Sequence, residues 1–185
     1  MPMRALTLSL AVHTLTMGVH AQLYDWGWAP EVSVTQNGST ITCTVWDPLL
    51  NSTRNQSYSG VATWTHDDGV VATVSNAGIA MAIVYDINIG GFRNEQLTTT
   101  SGTTVINSDG VVAWVSGGGV AGASIYHPGS QEWVSAALGS GGGNVIQNRD
   151  GVVSWTSGNG RVGAAVFDPF LEGWQDEQFT VDGQV

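Results

Sequence analysis

The chain has 185 residues, of which 42% are hydrophobic and only 11% charged, with 15 acidic residues against five arginines and no lysine. A net charge of −10 repels a polyanion, because nucleic-acid binding runs on clustered Lys and Arg, so nucleic acid is not expected as a partner. Cys43 is the single cysteine; it forbids an intrachain disulfide and a thiolate zinc cluster, and its place in an alternating strand-like run reads as a small buried hydrophobe.

Residues 1–21 read as an export signal. Arg4 is their only charge, an apolar run extends from Ala5 through Val19, and Val19-His20-Ala21 places small residues three and one positions before a cut, the pattern a signal peptidase requires. His13, Thr14, Thr16 and His20 interrupt the run, whereas a membrane helix needs about 20 clean apolar residues. The mature chain is therefore expected to start at Gln22, to lie outside the cell or on its surface, and to carry no transmembrane segment.

Residues 22–185 read as a repeat domain. Asp-Gly recurs at Asp68-Gly69, Asp109-Gly110 and Asp150-Gly151, each 41 positions after the last. The 17 residues from Gly69 match those from Gly110 at 10 positions without a gap, and the stretch from Gly151 continues the pattern. A weaker first copy spans Ala29 to Pro48, two residues out of phase. Counted from the glycines, the copies cover roughly 22–68, 69–109, 110–150 and 151–185.

Within the third copy, an apolar run at Thr103–Asn107 meets Asp-Gly, the strongest short hairpin signal. Further runs follow at Val111–Ser116, Ala121–Tyr126 and Glu132–Leu138, separated by a Gly-rich loop and by a His127-Pro128-Gly129 turn. Four short strands with turns between them predict an antiparallel meander. Such a sheet cannot bury both faces alone, and stacking copies radially does bury them. The expected class is all-β, with four-stranded blades arranged as a β-propeller.

An aromatic, an Asp-Pro or variant, and a second aromatic seven positions after the first stand at Tyr126-His127-Pro128 with Trp133, and at Phe167-Asp168-Pro169 with Trp174. Tyr85-Asp86 with Phe92 is a looser case, and Trp46-Asp47-Pro48 begins the motif but has Thr53 in the second aromatic place. With the Asp-Gly hairpin, these residues resemble the kelch-type β-propellers over nearly the whole mature chain. The double glycine of that family is clear only at Gly117-Gly118, the second copy having Asn76-Ala77 and the fourth Gly158-Asn159. Kelch rings usually hold five to seven longer blades. Four blades here leave three arrangements open: a small closed ring, a homodimer of eight, or a piece of a longer product; the hairpin at 180–185 reads as cut off at Val185, with a swapped closing strand as the alternative.

Candidate chemistry is sparse. His66 beside Asp67 is the only adjacent His–carboxylate pair of the mature chain, and both His66 and His127 fit turn positions better than catalytic ones. The repeated Asn-x-Asp-Gly supplies too few oxygens per turn for calcium. No metal site, cofactor or catalytic residue is therefore assigned. Trp114 and Trp155 recur in register, as do Trp133 and Trp174, which assigns them to packing; Trp26, Trp28 and Trp64 do not recur. Asn37, Asn51 and Asn55 begin glycosylation sequons. By the propeller resemblance, the loops joining second to third strands and blade to blade share the binding face, where Tyr58, Asn76, Asn144 and Arg161 diverge between copies. The resulting expectation is a non-catalytic secreted module that binds a protein or carbohydrate; a propeller enzyme acting on polysaccharide or a small molecule, and a fragment of a surface adhesin, are the alternatives.

Overall fold

The computed structural model describes residues 30–140, 145–158 and 160–180. The export signal, the segment with Trp26 and Trp28, Asn144 and the last five residues lie outside that range.

Among the described residues fifteen strands form antiparallel meanders in chain order. The first sheet joins β1 (Ser33–Asn37), β2 (Thr40–Asp47) and β3 (Ser52–Ser59). The second joins β4 (Val61–Asp67), β5 (Val70–Ser75), β6 (Ala80–Asp86) and β7 (Gly91–Gln96). The third is β8 (Thr104–Ser108), β9 (Val111–Val115), β10 (Ala121–His127) and β11 (Glu132–Gly139). The fourth is β12 (Val145–Arg149), β13 (Val152–Thr156), β14 (Arg161–Asp168) and β15 (Gly173–Thr180). These are propeller-type blades. The strand before each Asp-Gly belongs to the same sheet as the strand after it, so each blade starts before the glycine that marks the repeat. In the first blade three strands are described, and the place equivalent to β4, β8 and β12 falls before residue 30.

The Asp-Gly hairpins are two-residue turns with positive φ at both positions: 44° and 72° at Asp68-Gly69, 51° and 71° at Asp109-Gly110, 51° and 70° at Asp150-Gly151. That geometry is why Asp-Gly recurs. The phase slip of the first copy also has a structural cause. Gly38-Ser39 joins β1 to β2, whereas the equivalent β5–β6 loop runs from Asn76 to Ile79, two residues longer.

The blades stack face to face. Ile41, Cys43 and Val45 of the first pack on Val71, Ile83 and Tyr85 of the second. Val70, Ala72, Ala82 and Val84 of the second pack on Val112 of the third. Val111, Ala113, Ala121 and Ala123 of the third pack on Val153, Trp155 and Ala165 of the fourth. The third strands of the two middle blades, β6 and β10, are therefore buried almost continuously, while their equivalents β2 and β14 alternate, the mark of a sheet covered on one face.

Polar bonds register one blade on the next. Asn107 donates its amide to the Val70 carbonyl at 2.8 Å, and Asn148 repeats this on Val111 at 2.8 Å. Asp67 Oδ2 accepts the Asp109 backbone N–H at 2.8 Å. The Tyr85 hydroxyl donates to Asp47 and the Tyr126 hydroxyl to Asp86, both at 2.5 Å.

The seven-residue aromatic spacing is a cross-strand pairing. Tyr85 faces Phe92, Tyr126 faces Trp133 and Phe167 faces Trp174, edge to face with ring centroids 5.0, 5.5 and 5.8 Å apart.

Candidate ligand-binding face

The loops after the second strand of each four-stranded blade, Asn76–Ile79, Ser116–Val120 and Ser157–Gly160, carry one glycine each at φ near +77°: Gly78 at 76°, Gly119 at 77° and Gly160 at 78°. They lie at the same end as the blade-to-blade connectors. The backbone of Gly78 and Gly117 meets the connector at Ser101-Gly102 so closely that a Cβ at either would overlap it. Thr98 and Thr103 bond each other at 2.9 Å within that connector, and Thr98 also receives the Ala80 amide at 3.0 Å. The gap between the second and third blades is therefore filled by the chain itself.

Between the third and fourth blades the same end holds a cleft of about 260 Å³. Val120, Ala137, Leu138, Gly139 and Ser140 line one side, and Trp155, Ser157, Arg161 and Gln178 the other. The buried Trp155 ring forms the base; its indole edge lies against Gly139, where any Cβ would collide with it. Ser157 fixes the loop, its hydroxyl accepting the Arg161 N–H at 3.2 Å. Arg161 opens β14 with an exposed side chain. Gln178 bridges the blades by donating to the Leu138 carbonyl at 3.2 Å. The rim thus combines a guanidinium, an amide and a hydroxyl over an aromatic base, a set suited to an acidic or hydroxyl-rich group.

The residues expected on the binding face fall in different places. Arg161 lines the cleft, and Asn76 is exposed at the same end on the second blade, its N–H held by the Gly60 carbonyl at 2.7 Å. Asn144 lies outside the described residues. Tyr58 is not on a loop: it sits in β3 opposite Ile41 and packs against the core between the first two blades. Its hydroxyl is buried without a partner, and burial pushes its pKa up. Sequence reading passed over Gln178 and Ser157: Ser157 recurs as Ser116 and Ser75, and Gln178 matches Gln96 and differs only from Ala137, so neither stands out between copies.

His66 and His127 lie within strands of their blades, in β4 and β10. His127 Nδ1 lies 2.9 Å from the Ser130 hydroxyl and accepts the Ser130 N–H at 3.2 Å, and its ring packs on Phe167. His66 is half-buried, and the neighbouring Asp67 carboxylate is engaged by the Asp109 turn. Burial, then the charges of Asp67 and Asp109, raises the Asp68 carboxyl above its ordinary value. Trp114 and Trp155 are buried in the sheets, and Trp64 donates to Gln36 at 2.9 Å. Among the described residues no group of three His, Cys, Asp or Glu is placed to hold a metal ion, and no helix is long and apolar enough to cross a membrane.

No protein-family model matches the chain, and no curated protein matches it. Solved structures do. A chain from the S. cerevisiae complex of a Dbp5 variant bound to Nup159, a Gle1 variant, IP6 and ADP is 9% identical, with a TM-score of 0.41, over 81% of this chain and 41% of that one. HIRA(644–1017) is 12% identical at a TM-score of 0.39, over 84% of this chain and 55% of that one. Kluyvelomyces marxianus Hsv2 is 11% identical at 0.38, over 74% and 48%. These neighbours are WD40-type β-propellers. The chain spans about half the length of the structures it matches, and its own sheet order and blade stacking carry the propeller assignment.

Proposed function

We propose that this chain is a secreted or cell-surface, kelch-like propeller module that binds a protein or glycan without transforming it. The observation that carries the reading is the cleft between the third and fourth blades, where Arg161 and Gln178 stand over the buried Trp155 ring. Arg54 and Arg93 interact with the Asp47–Tyr85 and Asp86–Tyr126 pairs, and Arg149 pairs with Asp150 at 3.6 Å. Arg161 is the guanidinium placed at a cleft, on a molecule of strong negative charge. A ligand that presents a carboxylate or sulfate beside hydroxyls fits that rim. Cross-strand aromatic pairs at the seven-residue spacing support the kelch-like description.

The test is a glycan array and a protein pull-down with the chain, with Arg161→Ala/Gln178→Ala and with His66→Ala/Asp67→Asn. Retention should fall about tenfold or more with the first pair, the scale of one or two charge-assisted hydrogen bonds. It should survive the second pair. A turnover activity that disappears with the second pair overturns the binding reading.

A further inference from the structure

The outer face of the fourth blade is built like a blade-to-blade contact, yet none of the described blades covers it. Val152 and Ala164 are the 41-residue equivalents of Val111 and Ala123, which the fourth blade buries completely, and of Val70 and Ala82, which the third blade buries. On the fourth blade Val152 is 39% exposed, and Ala164 is exposed too. Phe179, paired with Val162 on the same face, is 53% exposed.

The polar half of the contact is also in place. Asp47 Oδ1 caps its turn through the Leu49 and Leu50 N–H groups at 2.8 and 3.0 Å, leaving Oδ2 for the Tyr85 hydroxyl of the next blade. Asp168 Oδ1 makes the same cap with Phe170 and Leu171 at 2.8 and 3.1 Å. Leu50 meets the following blade at Gly90; its counterpart Leu171 is 68% exposed.

The counterpart face is on the first blade. Trp46 occupies the place of Tyr85 and is 55% exposed, and beside it Thr40, Thr42 and Thr44 alternate outward along β2. Among the large hydrophobics exposed in the described residues, Trp46 lies on the outer face of the first blade and Val152 and Phe179 on that of the fourth. The described residues thus present one exposed socket and one partly exposed face of the kind that fills it.

We infer that two copies of this chain pair head to tail, the fourth blade of each seated on the first blade of the other. The occupant follows from continuity: blades of this chain already pack on one another in this way at three internal boundaries. Trp46 presents an indole N–H to Asp168 in place of the tyrosine hydroxyl. Thr42 and Thr44 face Ser154, Gln175 and Glu177, giving a mixed apolar and polar contact as is usual between subunits. A head-to-tail contact closes when the rotation returns to the start, and two copies of the described blades supply eight.

The experiment is sedimentation equilibrium of the full chain with Ala164→Arg, at an exposed position, and Thr42→Arg, at a half-buried one on the outward side of β2, with circular dichroism to establish that each variant folds. The wild type should sediment at twice the chain mass, and each variant alone at the chain mass. An equimolar mixture of the two variants should recover the doubled mass, because one intact socket and one intact face remain. A wild type at single mass, an open series of larger species, or a mixture that stays at single mass overturns the pairing. A Thr42→Arg variant that keeps the doubled mass would point to contact between two fourth blades and overturns it as well.

Discussion

Tyr126 of the third blade donates its hydroxyl to Asp86 Oδ2 of the second at 2.5 Å, with Arg93 close enough to act on the phenol. One boundary earlier Tyr85, Asp47 and Arg54 repeat the set. One boundary later all three members change together: His127 replaces the aspartate, Phe167 the tyrosine and Val134 the arginine. The His127 ring then lies 6.0 Å from that of Phe167, centroid to centroid. A buried carboxylate that lost its hydroxyl donor would be left unsatisfied, so a phenylalanine is tolerated only where the acid has gone too.

Tyr126→Phe should therefore destabilise the chain by about 1–3 kcal/mol, the cost of leaving a buried acceptor unpaired. Adding Asp86→His and Arg93→Val copies the third boundary into the second and should return much of that loss. Urea titrations of the single and triple variants check both. A triple variant less stable than the single one would show that the two boundaries are not interchangeable.

The same clasp sets a pH profile. The hydrogen bond from Tyr85 is the largest influence holding Asp47 below its ordinary 3.8, so its stabilisation is present above that value and is lost as pH falls through the lowered one. Burial, and then Asp47, pushes the Tyr85 phenol from its ordinary 10.0 up to about 12. Its contribution is complete below 10.0 and is lost as pH rises toward 12. The contribution of the Asp47–Tyr85 pair should be flat between these limbs, and Tyr85→Phe should blunt the alkaline loss of the denaturant midpoint. An unchanged alkaline limb in that variant would place the titration elsewhere.

Much of the architecture was legible because hairpins and blade packing are local and repeated. Asp109-Gly110 announces its turn by chemistry alone, and 41-residue spacing carries that turn into every later blade. The cleft was less legible. Arg161 stood out as a cation in an acidic chain, but Gln178 joins it only through pairing of β14 with β15 and a bond to Leu138 of the preceding blade. Tyr58 diverges among the copies as a loop residue would, yet it packs inward, because divergence marks a changed neighbour as readily as a ligand site. The Trp–Gly contacts were hidden too, since Trp114 and Gly122 meet only after β9 pairs with β10.

Gly110→Val should cost about 1–3 kcal/mol, because a β-branched residue is strained at positive φ. Gly110 has φ +71°, and the nearest side-chain atom to an added Cβ, on Val70, is 3.8 Å away. Space is adequate, so the penalty is conformational, and Gly110→Asn should recover part of it. A Gly110→Val chain that melts with the wild type would mean the turn relaxes.

Cys43 should be silent to thiol reagents in the native state. It is fully buried in the core between the first two blades, and burial alone raises its thiol to about 11. Since the thiolate is the nucleophile, labelling at neutral pH should follow unfolding, its rate rising with denaturant. Stoichiometric labelling without denaturant would show that the first two blades separate readily.

Trp114 lies flat across Gly122 on the neighbouring strand, as Trp155 lies across Gly163. A methyl group at either glycine would sit inside the indole ring. Both rings are buried, so neither can swing aside at low cost, and Gly122→Ala should destabilise by about 1–3 kcal/mol through overpacking. The second blade shows the alternative solution, with Thr73 opposite Met81 at the equivalent pair. Trp114→Thr combined with Gly122→Met reproduces it, and if the clash is the cause, the double variant should be more stable than the two separate losses predict. Thermal melts of the three variants in a double-mutant cycle measure the coupling. Additive losses would mean that the ring and the glycine act independently, and the crossing of Trp114 over Gly122 would then not be what fixes a glycine there.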